Sequence, residues 1–134
     1  MPEPVDKEKA TIVLADDNKE FCDFLAYYLE KHYDFEIVGM AYNGVEAYNM
    51  ITEYKPDIAI LDGVMPHLDG LGVLHELGQG QNPEHTPICI VISVITQDNI
   101  KRKAIELGAD YYIEKPLGES FTSLLGQLAT KKSR

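Results

Sequence analysis

Short apolar runs that stop at a polar side chain recur along this chain, and their spacing restricts the fold more than any other feature. Thr11-Ile-Val-Leu-Ala15 runs into Asp16-Asp17, Asp57-Ile-Ala-Ile-Leu61 into Asp62, and Tyr111-Tyr-Ile113 into Glu114-Lys115-Pro116. A further run, Ile88-Cys-Ile-Val-Ile92, ends at the hydroxyl of Ser93. Runs of this length bounded by turn signals read as buried strands. The Asp57 and Ile88 runs are apolar nearly throughout, as expected of parallel strands covered on both faces.

Helical patterns fill the intervals. From Asn18 to about His32, Phe21, Phe24, Leu25, Tyr28 and Leu29 recur at helical spacing behind an Asn18 cap. Phe35 to Gly39 reads as a short strand. Gly44 to Tyr54 follows as a helix with Val45, Tyr48 and Ile51 on one face and Pro56 past its end. Leu68 to Leu77 reads as a helix interrupted by Gly70 and Gly72, and Gly78 to Pro87 as a loop. Gln97 to Leu107 is a helix closed by Gly108, and Glu119 to Ala129 is the last one. Five βα units result. Right-handed crossovers put helices on both faces, so the expected fold is a doubly wound α/β domain with five parallel strands. Its ligand site lies outside the carboxyl ends of the strands, where strand order reverses.

Composition narrows the function. The 134 residues carry 12 basic and 22 acidic groups, a net charge of −10, which argues against direct contact with nucleic acid. Cys22 and Cys89 both sit in apolar patterns and are expected as buried, reduced thiols. No apolar run reaches the roughly 18–20 residues of a membrane span, and no signal peptide precedes the first strand, so the expected setting is the cytoplasm. Residues 1–10 read as a flexible lead-in, 11–130 as the domain, and 131–134 as a basic tail or the start of a linker.

The strand-end groups carry the chemistry. If the runs are parallel, Asp16, Asp17 and Asp62 gather at one sheet edge with Ser93 and Lys115. Two unit charges about 4 Å apart repel by roughly 4 kcal/mol at an effective dielectric near 20, so three carboxylates require a cation. A small set of oxygen ligands suits Mg²⁺. Lys115 can neutralise the cluster, and Pro116 fixes its backbone, with a cis bond available there. An aspartate so placed can accept a phosphoryl group as an acyl phosphate. Metal, ammonium, hydroxyl and backbone N–H groups would spread the charge of the transferring group. Singly, an Asp-Asp pair at a strand end is an ordinary cap or solvated turn. The joint pattern across separate strands points to function.

On these residues the chain resembles the receiver domain of two-component response regulators over about residues 10–130. The matching pieces are Leu14-Ala-Asp16-Asp17-Asn18, Leu61-Asp62-Gly-Val-Met-Pro66-His-Leu-Asp-Gly70, Ile92-Ser93, Leu107-Gly-Ala-Asp-Tyr-Tyr112 and Lys115-Pro116. Within that family, Met65 to Leu74 and Leu107 to Ile113 are most similar to receivers of sporulation regulators. The resemblance implies a flavodoxin-like fold with Asp62 as the phosphorylated residue. It implies Mg²⁺ held directly by Asp17, Asp62 and the Val64 carbonyl, with Asp16 acting through water. Ser93, the Val94 N–H and Lys115 would contact the phosphoryl group, and Tyr112 would turn inward on activation. A phosphotransfer protein or histidine kinase would be the donor. Another receiver would be the partner on the face of the fourth helix, fifth strand and last helix, and DNA would be bound only through a separate C-terminal domain, where one is present. The chain would catalyse at most its own aspartyl phosphorylation and dephosphorylation.

Two departures from the family pattern stand out. Val94 occupies a position usually held by a small residue, and its branched side chain is expected to narrow access to the site. Leu117-Gly118 follows the Lys-Pro pair where Phe is common, which is expected to loosen the start of the last helix. His32, His67, His75 and His85 share no metal-ligand spacing and read as surface residues, while Tyr27, Tyr28, Tyr48 and Tyr54 read as core edge. Asp69-Gly70 reads as a turn before a helix, and Glu114 as solvated.

Three other classes compete. A haloacid-dehalogenase-type phosphatase also uses an Asp nucleophile and Mg²⁺, but wants Asp-x-Asp after the first strand, where this chain has an adjacent pair. A flavodoxin-type flavin site wants a Ser/Thr/Gly-rich phosphate loop after Leu14, where Asp16 and Asp17 would repel phosphate. A receiver-shaped module that has lost phosphorylation is opposed by the presence of Asp62, Asp17 and Lys115.

Overall fold

Each apolar run forms a strand, and each periodic segment between them a helix. The computed structural model describes residues 9–79 and 86–132. In chain order the elements are β1 (Thr11–Ala15), α1 (Lys19–Tyr33), β2 (Glu36–Ala41), α2 (Gly44–Tyr54) and β3 (Ile58–Asp62). Then come α3 (Gly70–Gln79), β4 (Ile88–Ser93), α4 (Asp98–Glu106), β5 (Tyr111–Glu114) and α5 (Glu119–Lys132). The strands are parallel in the order β2-β1-β3-β4-β5. This is the flavodoxin-like doubly wound arrangement expected from the sequence, with its reversal between β1 and β3.

The period-2 geometry of strands splits the core in two. Ile12 and Leu14 of β1, with Ile58, Ile60, Ile90 and Ile92, pack under α1 and α5 against Leu25, Leu29, Phe121 and Leu125. The alternate residues Val13, Ala15, Ala59, Leu61, Cys89 and Val91 pack under α2, α3 and α4 against Ala47, Ile51, Val73, Leu74 and Ala104. Both cysteines are buried free thiols. Burial pushes Cys22 up to about 11 and Cys89 up to about 12, so both stay protonated and unreactive at neutral pH. Among the described residues, no helix is long and apolar enough to cross a membrane.

Local chemistry sets the boundaries. Asn18 and Asn43 cap α1 and α2 by accepting from the N–H groups of Phe21 and Glu46. Gly108, just past α4, has φ +120°, a conformation that favours glycine. β2 extends two residues beyond the expected Gly39 because β1 pairs with it as far as Ala15 and Ala41, across a register shift at Ile12/Val13. α3 begins at Gly70 and not at Leu68, because His67 at φ 70° and a hydrogen bond from Leu68 N–H to the Pro66 carbonyl make a tight turn first. Asp69 then accepts from Gly72 N–H at 2.9 Å, closing the first turn of the helix.

Several expectations need correction. The buried face of α2 is Gly44, Ala47 and Ile51, while Val45 points outward, 49% exposed. Tyr27 and Tyr54 are exposed and not core edge. Ala10, assigned to the lead-in, is buried, and its carbonyl accepts from Glu36 N–H. The start of α5 is not loose: Phe121 and Thr122 both donate backbone bonds to the Gly118 carbonyl. His85, most of the 78–87 loop and the ends of the chain lie outside the described residues.

Candidate functional site

The strand reversal places the ends of β1 and β3 side by side, and the acidic groups with them. Asp16, Asp17 and Asp62 each bring a carboxylate oxygen within 4.8 Å of the others. Asp16 is 3% exposed and Asp62 6%, whereas Asp17 faces solvent. Lys115 reaches over from the end of β5, past a cis Lys115–Pro116 bond. Its Nζ donates to Asp16 Oδ2 at 2.9 Å and stands 3.5 Å from Asp62 Oδ2. The backbone completes the set: Asn18 N–H donates to Asp16 Oδ1 at 2.9 Å and Val64 N–H to Asp62 Oδ1 at 3.2 Å.

The electrostatics follow from this crowding. Burial pushes Asp62 up to about 6, and the neighbouring Asp16 charge adds to the rise; the Val64 N–H and the Lys115 ammonium oppose it. Burial pulls Lys115 down, but the hydrogen bond to Asp16 and the charges of Asp62 and Asp16 outweigh it and hold the ammonium above its ordinary value. One ammonium therefore serves both Asp16 and Asp62, and burial makes Asp62 an uncomfortable anion. An oxygen-only donor set of this kind, partly buried and open to solvent through Asp17, fits a small hard divalent cation.

Ser93 ends β4, fully buried, beside the same gap. A side chain at Gly63 would bring a Cβ within 2.8 Å of the Ser93 hydroxyl oxygen, so only glycine lets the hydroxyl lie against β3. At Gly70 a Cβ would come within 2.6 Å of the Asp62 carbonyl, and α3 approaches the end of β3 only because none is there. The Ser93 oxygen accepts from Ile95 N–H at 3.1 Å, leaving its own proton to donate. The Tyr112 hydroxyl donates to the Ile95 carbonyl at 2.8 Å, so the ring is tied to the loop after Ser93. Glu114 is exposed, as expected, and also pairs with Lys101 of α4. Val94 is 67% exposed. Its side chain lines an open groove of about 550 Å³ with Asn18, Phe21, Phe24, Lys115, Pro116 and Leu117.

Every site residue named from the sequence thus converges on one edge: Lys115 in contact with Asp16 and Asp62, Asp17 beside them, and Val64, Ser93, Val94, Pro116 and Tyr112 around them. The sequence reading missed Gly63 and Gly70, whose roles depend on what lies across from them. It also missed Phe21, whose ring lies 4.7 Å from the Lys115 ammonium. The only signal for Phe21 was its place three residues after the Asn18 cap.

A five-stranded doubly wound domain with a carboxylate triad, a hydroxyl and a lysine at its strand ends is the arrangement of the receiver class. Residues 12–124 match the model of the response regulator receiver domain, and the chain belongs to that family. Solved structures agree. The BeF3-activated N-terminal receiver domain of RstA from Klebsiella pneumoniae is 29% identical, with TM-score 0.75, over 92% of this chain and 99% of that one. The signal receiver domain of a DNA-binding response regulator from Colwellia psychrerythraea is 28% identical, with TM-score 0.80, over 94% and 100%. A LuxR-family DNA-binding response regulator from Staphylococcus aureus is 25% identical, with TM-score 0.76, over 93% and 99%.

Proposed function

We propose that this receiver accepts a phosphoryl group on Asp62 and uses it to control association with another receiver. The observation that carries the reading is Lys115 Nζ held between Asp16 and Asp62, at 2.9 and 3.5 Å, at the strand reversal. A carboxylate oxygen of Asp62 attacks the phosphorus of a phosphohistidine on a phosphotransfer protein or kinase. The O–P bond forms, the N–P bond breaks, and the leaving imidazole takes a proton from water. Asp17, Asp62 and the Val64 carbonyl would hold Mg²⁺ directly and Asp16 through water; bound there, the metal supplies positive charge to the phosphoryl oxygens. Lys115, the Ser93 hydroxyl and the Val94 N–H meet the remaining oxygens, and Pro116 sets the backbone that presents the lysine.

The output follows from the Ser93–Ile95–Tyr112 chain of hydrogen bonds. Drawing the Ser93 hydroxyl toward the phosphoryl group moves Ile95, and Tyr112 reports it to the face of α4, β5 and α5, where a second receiver would pair. The Met65–Leu74 and Leu107–Ile113 motifs support a cytoplasmic sporulation-type regulator in a phosphorelay, with DNA contact left to a separate C-terminal domain. The chain's own catalysis is confined to gaining and losing this phosphoryl group.

Incubation with Mg²⁺ and a small phosphodonor, followed by intact mass, tests the reading. A gain of one phosphoryl group that Asp62→Asn abolishes is expected; turnover of a phosphomonoester would favour a phosphatase instead. Val94→Ala is expected to speed phosphorylation or dephosphorylation, and equal rates would remove Val94 as a steric gate. Beryllium fluoride is expected to convert monomer to dimer in size measurements; an unchanged size would count against phosphorylation-driven pairing.

A further inference from the structure

Lys115 has a neighbour that the acceptor chemistry leaves unexplained. Its Nζ lies 4.7 Å from the centroid of the Phe21 ring, within the range in which an aromatic face attracts an ammonium. The backbone at Phe21 is fixed, because its N–H donates to the capping Asn18 Oδ1 at 3.0 Å. The half-buried ring packs on the core cluster under α1 and α5, which limits its rotamers.

A lysine has a flexible four-carbon stem and a compact charge, so two carboxylates alone do not define its position. Here they pull unequally, at 2.9 Å for Asp16 and 3.5 Å for Asp62, and Asp16 is the more buried of the two. Left to these charges, the ammonium settles on Asp16, away from the oxygens that a phosphoryl group on Asp62 would carry. A π face on a rigid helix turn adds a third attraction and shields the ammonium from water. An aliphatic side chain of similar bulk fills the same space without that attraction, since it has no quadrupole.

We infer that Phe21 is a positioning residue: its ring holds the Lys115 ammonium over the gap between Asp16 and Asp62, ready for a phosphoryl group on Asp62. The inference rests on the phosphoacceptor reading and adds a group to it that does not itself touch the phosphoryl oxygens.

The test compares Phe21→Leu, which keeps apolar bulk, with Phe21→Tyr, which keeps the π face. Two readouts are taken on the whole chain: the rate of phosphoryl uptake from a small phosphodonor at saturating Mg²⁺, and the proton shifts of the Lys115 ε-methylene by NMR without phosphodonor. Phe21→Leu is expected to slow uptake about two- to five-fold, the effect of one partly exposed cation–π contact. It should also abolish an upfield ring-current shift at Lys115. Phe21→Tyr should restore both, and the thermal midpoints of the two variants should match. Equal rates for wild type and Phe21→Leu, an unshifted Lys115 in the wild type, or equal slowing by Leu and Tyr would each overturn the role of Phe21 while leaving the acceptor reading intact. A wild-type chain that gains no phosphoryl group would overturn both.

Discussion

Carboxylates stand at both ends of the sheet, and the two ends treat them differently. At the amino edge, Asp57 is answered by the backbone and side chain of one neighbour. It accepts from Thr11 N–H at 2.8 Å and from the Thr11 hydroxyl at 3.2 Å, while its own N–H reaches back to the Thr11 hydroxyl oxygen at 3.0 Å. Asp110, just before β5, accepts from Cys89 N–H at 2.9 Å. At the carboxyl edge, three carboxylates crowd within 4.8 Å of one another around one ammonium. One edge spends its acids on holding strands together. The other keeps them short of positive charge, which is the condition for taking up a cation.

Breaking each edge should expose this difference. Lys115→Ala has the largest expected effect, because it leaves buried Asp16 and Asp62 without their counter-charge. Stability measured by urea unfolding should fall by about 2–4 kcal/mol, the partly exposed lysine discounting the full value of a broken buried pair. Millimolar Mg²⁺ should recover part of it. Asp57→Ala should cost about 2–3 kcal/mol by stranding the Thr11 donors. Mg²⁺ should recover none of that loss beyond the gain it gives the wild type. Equal recovery in the two variants would erase the distinction between the edges.

Asp62→Asn should act in the opposite direction. The folded carboxyl titrates near 6 against an ordinary 3.8, so ionising it costs folding stability. That cost is absent below about pH 4, builds between about 4 and 6, and is complete above about 6. The substitution should therefore stabilise the metal-free protein by about 1–3 kcal/mol at pH 7 and have little effect at pH 3.5. A loss at pH 7 would show that the acidic crowding is not borne by Asp62. The smallest effect is expected at His67, whose φ of 70° costs a non-glycine residue about 1–2 kcal/mol. His67→Gly should gain under about 1 kcal/mol, with the added unfolded-state entropy cancelling the rest. It should leave the Asp62→Asn difference unchanged.

Much of this was legible in the chain because strands buried on both faces leave little freedom in their pattern. β1 and α2 fall where the apolar runs and caps put them. The polar strand ends were harder. The sequence reading stopped β3 at Leu61, β4 at Ile92 and β5 at Ile113, yet Asp62 pairs with Ile92 and Ser93 with Glu114. A backbone ladder is indifferent to side-chain polarity, so it runs one residue further than the hydrophobic pattern. The residues that bring the site together were legible because each carries its chemistry in its own side chain. Gly63, Gly70 and Phe21 matter through what lies across a gap from them, and the Lys101–Glu114 pair joins α4 to β5. None of these distances is written in local spacing.

The central claim is that the crowded edge, and Asp62 within it, receives the phosphoryl group. Borohydride reduction of the chain after treatment with Mg²⁺ and a small phosphodonor tests it most directly, because an acyl phosphate is reduced to an alcohol that peptide mass mapping can locate. Homoserine is expected at position 62, with unmodified aspartate at positions 16, 17 and 57. Homoserine at any of those three, with Asp62 untouched, would contradict it.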